Sequence, residues 1–311
     1  MMFNNKILIH SLSALLGILF IFSGLSKYYP IEPFEFIIVE TGFASWKAAV
    51  IIARFIIVVE IALGFLLLFS YQLKIMSRIA FVLLTIFTLH LLFTIALYGN
   101  KGDCGCFGEI LPMSPLQGSI KNLFLILISY FLIKSKYQWC LRIKYIPFYI
   151  FTLSFAFVFS QNAVDFNYSE NYLNKKFENF NLNLDTIYNN TNYEKIGQAK
   201  EDIRNKKLIL AFLSSECNHC KIAAKKLGII KKLNPFIPFY FFINGDDADI
   251  TKFKKENKIE NINSSKLNGE TFIQLAGIHL PIIYYYNKGL IEKQVDYYTL
   301  EQYHIEEWLK K

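Results

Sequence analysis

The chain has 311 residues with 53% hydrophobic and 17% aromatic content, and its formal net charge is +8. Most of the apolar residues lie in the first 160 or so positions, which is typical of a membrane protein and excludes a wholly soluble one. The sequence has no helix-turn-helix pattern, zinc-finger spacing or phosphate-binding glycine loop. The positive charge therefore indicates no nucleic-acid partner.

Five apolar stretches predict membrane-spanning helices in a bilayer-embedded domain over residues 1–161. They lie near residues 7–26, 48–70, 77–98, 116–133 and 145–161. Each is close to the roughly 20 residues that cross about 30 Å of hydrocarbon. The fourth is the weakest, because Lys121 and Asn122 interrupt its start. The first could also be a secretory signal, but it lacks a small-x-small cleavage site, so we expect a retained span.

Basic residues in the short loops predict the orientation of these spans. One alternate set of loops holds seven (Lys6, Lys74, Arg78, Lys134, Lys136, Arg142 and Lys144) and the other holds four (Lys27, Lys47, Lys101 and Lys121). The richer set is expected in the cytoplasm. Five spans then place the N-terminus in the cytoplasm and the C-terminal part outside. Two close cysteine pairs, Cys104/Cys106 and Cys217/Cys220, fall on the outer, oxidising side, and Cys140 falls inside.

A polar, Asn-rich linker or extension over residues 162–205 precedes a predicted α/β domain over residues 206–311. The predicted strands are Leu208–Leu213, Phe236–Ile243, Ile282–Tyr286 and Leu290–Val295, and the predicted helices are Lys221–Lys232, Ile250–Asn257 and Leu300–Leu309. Cys217 and Cys220 form a C-x-x-C after the first strand, and Pro281 precedes the final hairpin. This order resembles the thioredoxin fold. The resemblance implies an exposed nucleophile at Cys217, a buried resolving thiol at Cys220 and a cis peptide before Pro281.

His219, between the two cysteines, is the residue from which we predict the direction of the redox reaction. A histidine there resembles the strongly oxidising periplasmic members of the thioredoxin superfamily, because a protonated imidazole would stabilise the thiolate. The alternative is a solvated loop residue. The chain departs from the thioredoxin pattern at Ala211, where a buried Asp is usual, and at Glu216, where Trp is usual. A structural disulfide and copper binding stay open as alternatives for the pair.

The pair Cys104 and Cys106 forms a C-x-C between glycines. So tight a pair makes a strained, easily reduced disulfide, although it could also bind Cu(I). We favour redox chemistry, because no Met or His lies close by in sequence.

Residues 7–134 resemble the DoxX/MauE group of bacterial membrane proteins. The resemblance is carried by Leu16, Gly17 and Phe22–Lys27, by Arg54, Glu60 and Gly64 in the second span, and by Cys104–Gly108 before the fourth span. The cysteine segment is similar to that of the methylamine utilisation protein MauE. This resemblance implies a part in disulfide formation in a periplasmic enzyme, alongside a thioredoxin-like partner. The chain carries such a domain as its own C-terminal part.

Arg54, Glu60 and His90 are ionisable residues within predicted spans, which by default indicates function. We expect Arg54 and His90 to meet near the Cys104–Cys106 loop and to form a proton or quinone site. The alternative is a polar clamp that holds the helices together.

The sequence thus predicts a helical membrane bundle joined to a periplasmic thioredoxin-like domain in a bacterial inner membrane. We expect a thiol–disulfide oxidoreductase acting on periplasmic proteins with thiols or disulfides, through exchange between Cys217/Cys220 and Cys104/Cys106. An oxidative direction is favoured, with a quinone as acceptor, because the chain has no flavin or nicotinamide motif and no second thiol pair within the spans. This interpretation needs no metal. The alternative is an assembly or copper-binding factor that uses the same thiols without turnover.

Overall fold

The computed structural model describes residues 6–100, 104–108, 111, 113–135, 144–164, 173, 177–188, 202–277 and 279–311. Cys140 and most of its predicted cytoplasmic loop lie outside these residues. The chain divides into two compact units, Met1–Val164 and Asp165–Lys311.

The first unit is helical. Its helices are α1 (Lys6–Tyr28), α2 (Glu32–Glu40), α3 (Trp46–Leu68), α4 (Leu73–Tyr98), α5 (Pro115–Lys134) and α6 (Ile146–Gln161). Four of them, α1, α3, α4 and α5, are long and apolar enough to cross a membrane. The fifth predicted span forms α6, an apolar helix of 16 residues. At 1.5 Å per residue it is about 24 Å long, shorter than the other four.

Glycines allow α1 and α3 to pack closely. A Cβ atom added at Gly17 would lie 2.6 Å from the Gly64 carbonyl oxygen, and one added at Gly64 would lie 2.8 Å from the Gly17 carbonyl oxygen. Small residues at a contact let two helix backbones approach inside a membrane. The approach aligns the C-terminal end of α1 with the middle of α3, which brings Lys27 to Glu60.

Helix α2 was not predicted, because the sequence between the first two spans was interpreted as a loop. It buries Phe34, Phe36, Ile38 and Val39. Pro33 stands in its first turn, where a missing N–H costs no hydrogen bond. A loop segment with an apolar face therefore packs on the bundle as a short helix.

The second unit contains a six-stranded sheet. Its elements are β1 (Phe180–Asn181), α7 (Asp185–Tyr188), β2 (Lys207–Ser214), α8 (Asn218–Leu233), β3 (Phe239–Asn244), α9 (Asp247–Glu256), β4 (Asn263–Lys266), α10 (Gly269–Ala276), β5 (Ile282–Asn287), β6 (Leu290–Val295) and α11 (Gln302–Lys310). The strand order is β1-β6-β5-β2-β3-β4. β2 is parallel to β3 and antiparallel to β5, and β5 is antiparallel to β6. This β3-β2-β5-β6 core with α8 following β2 is the arrangement of the thioredoxin fold.

The middle of the sheet is buried on both faces. Leu208, Leu210 and Phe212 of β2 share one core cluster with Tyr240 and Phe242 of β3. Leu182, Leu184, Ile187 and Ile203, from the segment predicted as a linker or extension, pack in the same cluster. The sequence missed β4 and α10. β4 reads Asn-Ser-Ser-Lys, which carries no apolar signal, and its pairing with β3 defines it as a strand.

Candidate active site with two dithiols

The soluble-domain dithiol, Cys217 and Cys220, lies where β2 gives way to α8. Cys217 is the N-cap of α8, and its Sγ accepts a hydrogen bond from the Cys220 backbone N–H at 3.2 Å. Cys217 is half-buried, whereas Cys220 is fully buried. Backbone N–H groups at a helix N-terminus favour a negative charge, so the fold places the reachable sulfur where a thiolate is stabilised.

The two thiols of this pair have opposite pKa shifts. The hydrogen bond from the Cys220 thiol, with help from the backbone N–H groups of Cys220 and His219, lowers the pKa of Cys217 to about 6. The same hydrogen bond, together with burial, raises the pKa of Cys220. At pH 7 a group with a pKa of about 6 is roughly nine-tenths ionised. Cys217 is therefore the candidate nucleophile and Cys220 the candidate resolving thiol.

A groove beside this dithiol is lined by residues of the loops at the end of the sheet. Its lining includes His219, His279, Leu280, Pro281 and Tyr297, and its empty volume is about 730 Å³. The Leu280–Pro281 peptide is cis, as expected.

Tyr297 is a groove residue that the sequence did not indicate. The His219 ring stacks on the Tyr297 ring with centroids 5.8 Å apart, and His219 Nδ1 lies 3.2 Å from the Tyr297 hydroxyl. Lys226 Nζ donates to the Tyr297 carbonyl oxygen at 2.9 Å. The histidine is exposed but held by this stack. Nothing in the sequence after the hairpin marks Tyr297 as its partner.

The loop dithiol, Cys104 and Cys106, lies between α4 and α5. Cys104 is buried and Cys106 half-buried. The Cys106 backbone N–H donates to Cys104 Sγ at 3.3 Å, and the Cys104 backbone N–H donates to the Met113 carbonyl oxygen at 2.8 Å. Gly105 has φ +67° and Gly108 has φ +55°, which is backbone that glycine adopts without strain.

Cys106 is the more acidic thiol of this pair. The hydrogen bond from Cys104 is the largest cause that lowers the pKa of Cys106 to about 7, and the ammonium groups of Lys121 and Lys27 lower it further. Lys121 Nζ also lies 4.1 Å from the centroid of the Phe107 ring. Cys106 is thus the candidate nucleophile of the loop dithiol.

A buried polar cluster, formed by Ser23, Lys27 and Glu60, supports the loop. Lys27 Nζ donates to the two Glu60 carboxylate oxygens at 2.7 and 2.8 Å and to Ser23 Oγ at 2.7 Å. Ser23 Oγ lies 2.9 Å from the Cys106 carbonyl oxygen, to which it donates. Lys27 and Glu60 are both almost fully buried, so each charge depends on the other for compensation. The cluster connects α1, α3 and the loop dithiol.

A small cavity under Cys106 holds a further polar group. It is lined by Lys27, Glu60, Cys106 and Asn122 among others. Asn122 is 1% exposed, and its side-chain nitrogen has no hydrogen-bond partner among the residues described.

The three predicted ionisable residues separate into two groups. Glu60 and His90 line cavities that include Cys106. Arg54 lines neither of these cavities. It pairs with Glu35 of α2 through Nη1 and donates from Nε to the Asn162 carbonyl oxygen at 2.8 Å. Its contacts are therefore those of a clamp that joins α3 to α2 and to the residue after α6.

The partners Lys27, Ser23 and Glu35 were missed as site residues. Lys27 and Ser23 belong to the Phe22–Lys27 segment on which the family resemblance depended, and that segment was the available signal. Among the described residues, no three His, Cys, Asp or Glu side chains come together as a possible metal site.

Comparisons with known proteins agree with the two-part architecture. Residues 5–135 match the family described as methylamine utilisation protein MauE. Protein TlpB of Flavobacterium psychrophilum is 29% identical over 296 residues, which covers 81% of this chain and 80% of that protein.

One solved structure is also similar. It is a secreted Mycobacterium tuberculosis disulfide oxidoreductase homologous to E. coli DsbE. The two proteins are 17% identical with a TM-score of 0.26, and the matched region covers 34% of this chain and 81% of the other. The chain is a membrane protein in which a thioredoxin-like unit follows an N-terminal region, residues 5–135, that is similar to the family described as methylamine utilisation protein MauE.

Proposed function

We propose that the chain is a membrane-bound thiol–disulfide oxidoreductase that oxidises the thiols of periplasmic proteins. The observation that carries the proposal is the geometry of Cys217. A half-buried thiol of pKa about 6 caps a helix beside a groove, with its resolving thiol one turn further on. This arrangement supports attack, mixed-disulfide formation and resolution in sequence.

The proposed exchange transfers two electrons and two protons from a client protein to the loop dithiol. A substrate dithiol reduces the Cys217–Cys220 disulfide through a mixed disulfide on Cys217, and the substrate leaves with its own disulfide. Two electrons and two protons now reside on Cys217 and Cys220. A Cys104–Cys106 disulfide accepts them by the same chemistry, which restores the soluble-domain disulfide.

An oxidative direction is supported by the stabilised thiolate of Cys217. A dithiol whose reduced form is stabilised has a higher reduction potential and oxidises its partners. A reductive route from the cytoplasm would need a thiol pair on the way. The chain has five cysteines, and Cys140 is the one left outside the two dithiols.

The location of the proposed reaction follows from the basic loops. Their distribution supports a bacterial inner membrane with the N-terminus in the cytoplasm and both dithiols on the periplasmic side. The oxidising character of that compartment suits both pairs.

Trapping of a mixed disulfide tests the proposal. In the full-length Cys220→Ser variant, expressed in bacterial membranes and quenched with an alkylating agent, we expect mixed disulfides between Cys217 and client proteins. They are identified by non-reducing electrophoresis and mass spectrometry. The matched control is the Cys217→Ser/Cys220→Ser double variant, which should trap nothing. No trapped species, together with stoichiometric Cu(I) bound to the thiols of the purified wild type, would instead support the copper-binding or assembly factor.

A further inference from the structure

A second cavity of the membrane unit lies beside the loop dithiol. It has an empty volume of about 760 Å³, part of it open to the outside, and Cys104, Gly105 and Cys106 form one of its walls. The remaining lining comes from α1, α2, α3 and α4 and is mostly apolar. We call this cavity the thiol cleft.

The rim of the thiol cleft is exposed where the protein meets lipid. Ile86 of the spanning helix α4 is 54% exposed, and Phe43, after α2, is 72% exposed. An exposed isoleucine in the middle of a spanning helix faces hydrocarbon, because that helix is surrounded by lipid wherever protein does not cover it. An apolar molecule dissolved in the bilayer can therefore reach the rim of the thiol cleft.

Among the polar side chains that line the thiol cleft, His90 is the one available to bind a ligand. Lys27 Nζ is occupied by Glu60 and Ser23, and the Thr41 hydroxyl bonds to carbonyl oxygens of its own helix. The His90 ring touches the edge of Phe43, with centroids 6.4 Å apart. Its ring nitrogens make no hydrogen bond to any of the residues described. A half-buried imidazole with a free N–H is suited to donate to a carbonyl oxygen of a bound ring.

We propose that the thiol cleft binds the head group of a membrane quinone, which His90 positions against the Cys104–Cys106 dithiol. The inference rests on the proposed function and names its electron acceptor. An apolar cleft with a rim in lipid favours a hydrophobic acceptor over flavin or nicotinamide, whose phosphates would need charged partners. The reaction transfers two electrons and two protons from the Cys104 and Cys106 thiols to the quinone, so that an S–S bond forms and a hydroquinone leaves.

The test isolates the loop dithiol from the soluble-domain dithiol. The full-length Cys217→Ser/Cys220→Ser variant is purified in detergent, reduced, desalted without oxygen and mixed with ubiquinone-1 or menaquinone-1. Both quinone rings are fully substituted, so thiols oxidise instead of adding to the ring. We expect stoichiometric loss of quinone absorbance and loss of the Cys104 and Cys106 thiols, counted by alkylation and mass spectrometry.

Two variants in this background locate the site, each with a control on the same helix. His90→Phe removes the donor, and we expect the rate at subsaturating quinone to fall about tenfold, the value of one lost hydrogen bond. Its control, Leu89→Phe, changes a lipid-exposed neighbour outside the cleft. Ile86→Trp fills the rim, and we expect a raised KM for quinone with little change in kcat. Its control, Ile79→Trp, lies two turns earlier on the same exposed face of α4.

The outcomes separate the inference from the proposed function. If neither quinone oxidises the loop dithiol, although Cys220→Ser still traps client proteins, the quinone site is wrong and the exchange function stands. If both cleft variants react as fast as their controls, quinone reacts elsewhere and the site is wrong. A Cys220→Ser variant that traps no client would overturn the proposed function, whatever the quinones do.

Discussion

The soluble-domain dithiol and the loop dithiol each combine a buried thiol with a more accessible and more acidic one, but different parts of the fold produce this difference. In each pair one thiol is buried and the other is half-buried with a lowered pKa, about 6 for Cys217 and about 7 for Cys106. In each, the backbone N–H of the second cysteine donates to the sulfur of the first. The order is reversed, however, because the first cysteine is the reachable one in C-x-x-C and the second in C-x-C.

The reversal follows from the backbone that holds each pair. Cys217 caps a helix, so local N–H groups stabilise its thiolate and the next turn buries Cys220. The loop pair has no helix to cap. The pKa of its more acidic thiol is lowered first by the hydrogen bond from Cys104, and then by the ammonium groups of Lys121 and Lys27, which come from two different helices. A helix terminus thus makes one site local, whereas the other depends in part on tertiary packing.

The largest expected effect tests whether the two sites work in series. In membranes, Cys104→Ser should leave the soluble-domain dithiol in a single redox state, because its proposed oxidant is gone. The redox state of Cys217 and Cys220 is measured by acid quenching and differential alkylation. Cys140→Ser is the control and should cycle as the wild type does. Normal cycling in Cys104→Ser would show that the two dithiols are not coupled.

The dependence of the loop dithiol on packing predicts a second effect. Gly108→Ala places a Cβ on the Ser26 carbonyl group at a positive φ, so the loop must move. Loss of burial should speed maleimide labelling of Cys104 by about tenfold, a shift of roughly 1–2 kcal/mol typical of backbone strain. Labelling is followed by mass spectrometry. Gly99→Ala has a similar positive φ but no atom within 4 Å, and should label at the wild-type rate.

The electrostatic difference between the sites predicts a third, smaller effect. Lys121→Gln removes one of the charges that favour the Cys106 thiolate, so the pKa of Cys106 should rise from about 7 by up to about one unit. The rate of iodoacetamide alkylation rises with pH until the thiolate predominates, and its midpoint reports this pKa. Lys134→Gln, at the far end of α5, is the control. An unchanged midpoint in Lys121→Gln would show that the charge of Lys121 does not lower the pKa of Cys106.

The smallest expected effect concerns the local site. His219→Phe keeps a ring against Tyr297 but removes the imidazole charge, which is the last of the causes that lower the pKa of Cys217. The pKa should rise by about half a unit, and the two-electron potential should fall by roughly 15 mV. Equilibration with glutathione buffers measures the potential. Asn218→Ala, in the same exposed turn, is the control. An equal change of potential in both variants would show that the imidazole of His219 has no specific effect.

The predictability of the two sites differs for the same reason. The thioredoxin-like order, the position of Cys217 and Cys220 at the start of a helix and the cis peptide before Pro281 could be predicted, because a strand, C-x-x-C and a helix are contiguous in sequence. Glu60 could be marked as ionisable within a span. Its partner Lys27 could not, since the close approach of Gly17 and Gly64 sets the register between α1 and α3.

The expected meeting of Arg54 and His90 shows what else the sequence lacks. Arg54 forms a salt bridge with Glu35 of α2, a helix that no periodicity in the sequence indicated. The polar strand β4 was missed likewise, because its partner β3 defines it. In both cases a contact made by folding, and not a local pattern, determines the element.

Strand β1 has a practical consequence for anyone who isolates the thioredoxin-like part. Phe180 and Asn181 pair with the outer edge of β6, and Leu182, Leu184 and Ile187 cover the sheet beside it. A fragment that begins at residue 206 would expose an unpaired strand edge and an apolar face, which is the situation that leads to edge-to-edge aggregation. A fragment that begins before Phe177 keeps this cover and is the one to express for solution work.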